Sequence, residues 1–427
     1  MTYPEPSTPP ATTATTAKRA WPLLIAISFL ATIGMTIVLP VLPFVVLQYL
    51  PNDTNLALWV GVLESVYALC AFVAAPVLGV LSDRFGRKPV LVISVFGSAI
   101  GYLMFGIGGA IWVLLISRIV DGLTAGDMPV LFAYVADITE PEERAKRYGL
   151  LGALSGIGFM LGPAIGGLLA QVNVNAPVFA TAAVAAVIGV LSATVLPETL
   201  RPQDRITEVK AVDLHPFTVI SGAFRRPELR ALLIGFTLIT IPFAFFANNF
   251  SVLALDTLGW GPTEVGLLTS GVGVTDIIIQ GALLGLLIKW LGERGLVIGG
   301  MIGQLIGCLG LAIAAAFLPS AWVFGIGAMI FAAGQGGMTA ALDGLMSSSV
   351  GADEQGWLAG GVSSVGSAVQ MVAPLLAGWL YASVSHAAPY WLGAVVIAAA
   401  AIVLYRSTKD AQVASDTAEV ATVPLAT

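Results

Sequence analysis

The sequence predicts an all-α integral membrane protein with twelve transmembrane helices arranged as two six-helix pseudo-repeats. Three observations predict it. Of the 427 residues, 57% are hydrophobic and 10% charged, against roughly 25% charged in a soluble chain. The apolar residues lie in long continuous runs instead of alternating, which selects helices over a barrel, the other structure that satisfies backbone polar groups in lipid. Lys and Arg recur on one side of successive runs only.

Residues 1–20 read as a disordered cytoplasmic tail, rich in Thr, Ala and Pro and closed by Lys18-Arg19. The apolar stretch from Trp21 to Leu50 is far longer than the roughly 7 to 15 residues of a signal-peptide core, so it reads as a span. Spans are expected near 22–49, 57–82, 89–108, 111–137, 148–170, 177–196, 230–255, 263–290, 296–317, 321–349, 354–382 and 388–405, each close to the roughly 20 residues that a crossing needs. Basic residues cluster in the tails and after spans 2, 4, 6 and 8, and none falls in an odd-numbered loop. Both termini are therefore expected on the cytoplasmic side of the plasma membrane.

Residues 197–229, carrying Arg201, Arg205, Lys210, Arg225 and Arg226, read as a cytoplasmic linker between a six-helix half at 21–196 and another at 230–405; 406–427 is expected to be a second disordered tail. An internal repeat supports that division. Pro141-Glu-Glu-Arg-Ala-Lys-Arg-Tyr-Gly149 matches Ala352-Asp-Glu-Gln-Gly-Trp-Leu-Ala-Gly360 at a shift of 211 residues, and the same shift aligns Pro163 with Pro374. At a similar shift Gly79 and Gly86 pair with Gly285 and Gly292. Two duplicated units about an axis along the membrane normal are expected.

Several function classes drop out. The net charge of −6 is sorted by membrane side, which gives no basic surface for nucleic acid. Cys70 and Cys308 lie deep in separate apolar runs, and His215 and His386 fall in connections without metal-ligand spacing, so neither a disulfide framework nor a metal site is expected. No phosphate-cradling Gly-x4-Gly-Lys-Ser/Thr loop occurs, and no catalytic constellation or cofactor motif is visible. The chain is not expected to be an enzyme, and its energy must come from an ion gradient or from the substrate's own.

After span 2 the chain reads Gly79-Val-Leu-Ser-Asp83-Arg84-Phe-Gly86-Arg87-Lys88-Pro89, in which glycines allow close approach of helix ends and a carboxylate lies among fixed cations. This resembles the signature loop of the major facilitator superfamily, and the resemblance implies a gating role for these residues, with Asp137 a pairing partner. Span 5 carries Gly158-Phe-Met-Leu-Gly162-Pro163-Ala-Ile-Gly166-Gly167, similar to the family's antiporter motif; small residues at these intervals permit tight helix packing. Span 4 carries Leu114-x3-Arg118-x2-Asp121-Gly122, similar to a third family motif with aspartate in place of its glutamine.

Leu39-Pro-Val-Leu-Pro43, Leu81 to Lys88, Ala136-Asp-Ile-Thr139 and Leu196-Pro-Glu-Thr199 resemble the bacterial drug/proton antiporters that include the tetracycline exporters. The likeness covers nearly the whole chain. It departs where those exporters carry aspartates in their first and third helices, at positions matching Ala31 and Gly101.

Charges within spans are costly, roughly 2.5 to 3.5 kcal/mol each on insertion scales, and so mark functional candidates. Glu64, Arg118, Asp121, Asp127, Asp276 and Asp343 qualify. Arg118 and Asp121, one turn apart, can neutralise each other, which favours gating. Asp127 lies about half a circle round the helix from Arg118 with no local cation, and is the favoured proton carrier, with Asp276 its competitor. Gln280 joins Asp276 in one polar stripe, and Gln335, Thr339 and Asp343 form another. Phe243, Phe245, Phe246, Asn248 and Asn249 of span 7 could line a ligand site or simply pack.

The sequence thus predicts a secondary transporter that exports small, mostly apolar organic compounds against protons, its two halves rocking to expose a site alternately. The alternative is a facilitator for a sugar or organic-anion metabolite, with Arg118 as the cation for an anionic substrate.

Overall fold

A computed structural model describes residues 11–51, 55–206, 217–351 and 354–421. All regular structure among them is helical. The helices are α1 (Ala11–Val38), α2 (Leu42–Leu47), α3 (Leu56–Phe85), α4 (Arg87–Ile107), α5 (Ile111–Leu123), α6 (Asp127–Ile138), α7 (Pro141–Leu169), α8 (Ala176–Val195), α9 (Phe217–Phe224), α10 (Pro227–Leu258), α11 (Pro262–Ile277), α12 (Leu284–Ala316), α13 (Ala321–Ser348), α14 (Gln355–Ser383) and α15 (Ala388–Ala421).

Nine stretches among the described residues are long and apolar enough to cross a bilayer. Twelve crossings follow from them on length alone. Pro262–Ala316 is 55 residues, about 80 Å of helix against a hydrocarbon core of about 30 Å, so it supplies two spans. Ala388–Leu404 is a shorter apolar helix. The remaining crossing is divided into α5 and α6.

Span 4 was expected to run unbroken over 111–137, and the structure corrects this: Thr124, Ala125 and Gly126 separate α5 from α6. Pro129 is the cause, because it cannot donate to the carbonyl of Ala125 and its ring crowds that position. The Thr124 hydroxyl also bonds back to Val120 O at 2.9 Å and Asp121 O at 3.1 Å, a contact that bends helices. Span 1 likewise stops at Val38, since Pro40 restricts Leu39 and removes a donor, and resumes as α2 with Pro43 in its first turn.

The chain divides into two compact units. One holds the described residues up to 206 together with Trp260–Gly273; the other holds Phe217–Gly259 and the described residues from Val274 onward. The interior of the first is built from α1, α3, α4, α6 and α8 around Leu24, Leu78, Leu91, Leu131, Tyr134 and Ile188. In the second, α12 and α13 approach backbone to backbone, because Gly300, Gly303 and Gly307 face Gly334 and Phe331 with no room for a Cβ.

Candidate functional site

Within the first unit, three helices meet through missing side chains. A Cβ on Gly101 of α4 would lie 2.9 Å from Asp121 Cβ and 3.1 Å from Ser117 O, and one on Gly122 of α5 would lie 2.6 Å from Tyr67 O of α3. These glycines let α3, α4 and α5 close around one cation. Arg118 is 4% exposed and Asp121 2% exposed. Arg118 Nη1 stands 3.4 Å from Asp121 Oδ2. Its guanidinium also lies over three rings, at 4.7 Å from the Phe105 centroid, 5.2 Å from Tyr102 and 5.9 Å from Tyr67. Aromatic faces attract a cation more strongly once water is gone.

Glu64 of α3 is half-buried and lies within electrostatic reach of Arg118 and Asp121. The Ser98 side chain hydrogen-bonds to Asp121. Arg118 Nε and Nη2 are buried without a hydrogen-bond partner. Arg118, Asp121 and the half-buried Glu64 together are neutral only when one carboxylate holds a proton. The arrangement can therefore take up and release one proton while Arg118 stays charged. Asp127 begins α6 directly after the three-residue break, and its side chain lies outside the described residues.

At one rim of this unit Arg87 ties three elements together. It pairs with Asp83 of α3, its Nε donates to Asp137 Oδ2 of α6 at 3.1 Å, and its Nη1 donates to Ser82 Oγ at 2.7 Å. Thr199 Oγ1 donates to the same Asp137 oxygen at 3.0 Å. Glu198 completes the rim: its carboxylate accepts from the backbone N–H groups of Arg87 at 2.9 Å and Lys88 at 3.2 Å, capping α4. Gly86 sits at φ +110°, and a Cβ there would collide with Glu198. Arg84 is exposed and lies over the Phe85 ring at 5.5 Å, and Gly79 has open space around it.

The antiporter-motif glycines of α7 lie against α1. A Cβ on Gly158 would stand 2.9 Å from Thr32 Cγ2; those on Gly162 and Gly166 would run into Thr36 and the Ile37 carbonyl. Thr36 Oγ1 donates to Gly158 O at 3.1 Å. Gly167 packs on Pro262 and Thr263, whose hydroxyl donates to Gly167 O at 2.9 Å, and Pro163 presents its carbonyl to Gly266.

In the second unit, Gln280 Nε2 donates to Asp276 Oδ1 at 2.7 Å, and the π-helical turn Ile278–Leu283 begins just past that aspartate. Gln335 is bonded to Gln304 at 2.5 Å and to Thr339 at 3.1 Å; Asp343 is exposed on α13. Phe245, Phe246, Asn248 and Asn249 are buried: Phe246 stacks on Phe331 at 4.6 Å, Asn248 donates to Asn249, and Asn249 donates to Ala377 O at 3.1 Å. From the sequence Glu198 stands only within the Leu196-Pro-Glu-Thr199 resemblance, with no role as a cap, and Gln304 and the rings around Arg118 are not singled out. Tyr67 lies one turn after Glu64, and Tyr102 one turn before Phe105, which is the signal that could have found the rings.

The Major Facilitator Superfamily model matches residues 24–369 and 255–427. The chain is 32% identical over 372 residues to the class C tetracycline resistance protein of Escherichia coli, covering 87% of this chain and 91% of that one. It is 27% identical over 377 residues to multidrug resistance protein 2 of Bacillus subtilis, covering 84% of this chain and 88% of the relative. Among solved structures, the human organic anion transporter MFSD10 superposes with a TM-score of 0.67 at 20% identity, over 93% of this chain and all of that one.

Proposed function

The chain belongs to the major facilitator superfamily, and from that premise we propose that it is a secondary transporter exporting small, mostly apolar organic compounds in exchange for protons. The observation that carries this proposal is the buried pair Arg118 and Asp121, 3.4 Å apart, with the half-buried Glu64 within electrostatic reach of both, a set of three charges that balances when one carboxyl holds a proton. Gly101 adds to it. At the third-span position where the tetracycline exporters carry an acid, this chain has a glycine whose missing Cβ makes room for Asp121 of the next helix. An acid thus occupies the same neighbourhood from the opposite side of the helix pair.

Glu64 and Asp121 share the proton, with Asp127, Asp276 and Asp343 as further acids on the proton's route. Gly79 to Lys88, Asp137 and Glu198 latch one rim, and Arg87 is the residue that opens or closes it. Arg118 is enclosed by rings and acids, which leaves an anionic substrate no access to its charge and disfavours the organic-anion reading. Both termini lie on the cytoplasmic face of the plasma membrane, supported by the one-sided distribution of Lys and Arg.

The test uses proteoliposomes with an internal pH dye and an imposed pH gradient. Tetracycline, after the name of one relative, and ethidium, as a lipophilic compound of a different class, are the first compounds to try. Substrate addition should move protons in the wild type, and a protonophore should abolish accumulation. Transport indifferent to the protonophore would overturn the exchange reading.

A further inference from the structure

The second unit contains a cavity of about 330 Å³ between α9, α10 and α14 that the transport reading leaves unused. Phe224, Ile241, Val369 and Ala373 are among its lining residues, and among the described ones Thr237 is the only polar one. The Thr237 hydroxyl is already committed to Leu233 O at 2.7 Å. A cavity with no free polar group does not hold water and accepts an apolar occupant. Val372 and Leu376 on its wall are 54% and 37% exposed, and both lie within the Leu358–Ser383 span, so it opens sideways at membrane depth.

Cations stand at one end of it. Arg230 precedes Thr237 by seven residues and Ile241 by eleven, which returns it to the same face of α10 to within about 20° and places it about 10 Å along the axis. Arg225 directly follows Phe224 of the lining. Both are exposed, and neither makes an ion pair among the described residues. Arg226 between them is committed to Glu354 through two hydrogen bonds of 2.7 Å, which ties the start of α10 to the start of α14 at that end of the cavity.

An apolar slot open to the bilayer, with two exposed guanidinium groups at the headgroup end that make no ion pair among the described residues, matches one amphiphile in charge and in polarity order. We propose that this cavity holds an acyl chain of an anionic phospholipid, whose phosphate is bound by Arg230 and Arg225. A zwitterionic lipid offers the same chain but less net charge to the two arginines, and a free anion offers no chain. The proposal needs the helices to be in a bilayer and does not depend on proton exchange.

Native mass spectrometry of the full-length protein, titrated with phosphatidylglycerol or phosphatidylethanolamine, tests it. Phosphatidylglycerol should bind in preference, and the double variant Arg225→Gln/Arg230→Gln should weaken it on the order of tenfold while leaving phosphatidylethanolamine unchanged. Ala368→Trp, which fills the slot, should reduce retention of both. Val372→Asn at the exposed rim should act in the same direction, and keeps the test open if the tryptophan variant does not fold. Equal affinity for the two lipids, or phosphatidylglycerol binding insensitive to loss of both arginines, would overturn the proposal. So would filling variants that keep lipid but lose ethidium, which would make the slot a substrate pocket.

Discussion

Arg118 cannot be left alone at its depth, and the two acids near it do not share the work equally. Asp121 is the direct partner at 3.4 Å, and Glu64 supplies the second charge. Glu64→Gln is expected to keep substrate binding and folding while reducing substrate-induced proton movement to background, measured with an internal pH dye. Asp121→Asn removes the nearer partner of a buried cation, at a cost of several kcal/mol, and should show first as lower yield and thermal stability in detergent. If Glu64→Gln moves protons like the wild type while Asp127→Asn does not, the coupling acid lies at the start of α6. At the rim, Glu198→Ala removes the cap of α4 and should cost about 1 kcal/mol and slow transport, read as a lower initial efflux rate at unchanged substrate affinity. Arg118, Asp121, Asp83, Arg87 and Asp137 were legible as charges at unusual depth or in a motif. Glu198 was legible only as a resemblance, because a carboxylate that caps a helix 110 residues away carries no local signal.

At the scale of helices, the fit of α7 to α1 leaves no room for a larger residue. Gly162→Leu must displace Thr36, and overpacking of this kind costs roughly 1–3 kcal/mol. Transport should fall severalfold with the protein still in the membrane, checked by efflux in cells matched for expression. The start of α14 offers a pH readout. Hydrogen bonds from Arg226 hold the Glu354 carboxyl below its ordinary range, so its folded form favours the charged state. The clasp's contribution is therefore present above the ordinary carboxylate value and disappears as pH falls through and below it. Hydrogen exchange at the start of α10 should separate the wild type from Glu354→Gln at pH 7 and bring the two together only at pH well below the ordinary carboxylate range. The break between α5 and α6 was missed because apolar composition outweighed Pro129, although proline four residues past a carbonyl is a written instruction to stop. The π-helical turn after Asp276 had no sequence signal of that kind.

Over the whole molecule, the bilayer made the fold easy to read. Its thickness fixes helix length and its emptiness of hydrogen bonds forbids most alternatives, so spans could be counted from composition alone. What composition could not show is that span 4 is divided into α5 and α6, or that the eighth and ninth spans run on as the one helical stretch Pro262–Ala316. That stretch bends at Gly292, which sits at φ +69°, ψ 166°. This backbone region is open essentially only to glycine. The consequence falls on biogenesis. The turn between the eighth and ninth spans depends on Gly292, with Lys289, Glu293 and Arg294 beside it, so the route by which the two spans enter the lipid depends on one backbone conformation. Gly292→Val should therefore show first in biogenesis, as less mature protein in the membrane at matched synthesis, before any transport defect is measured.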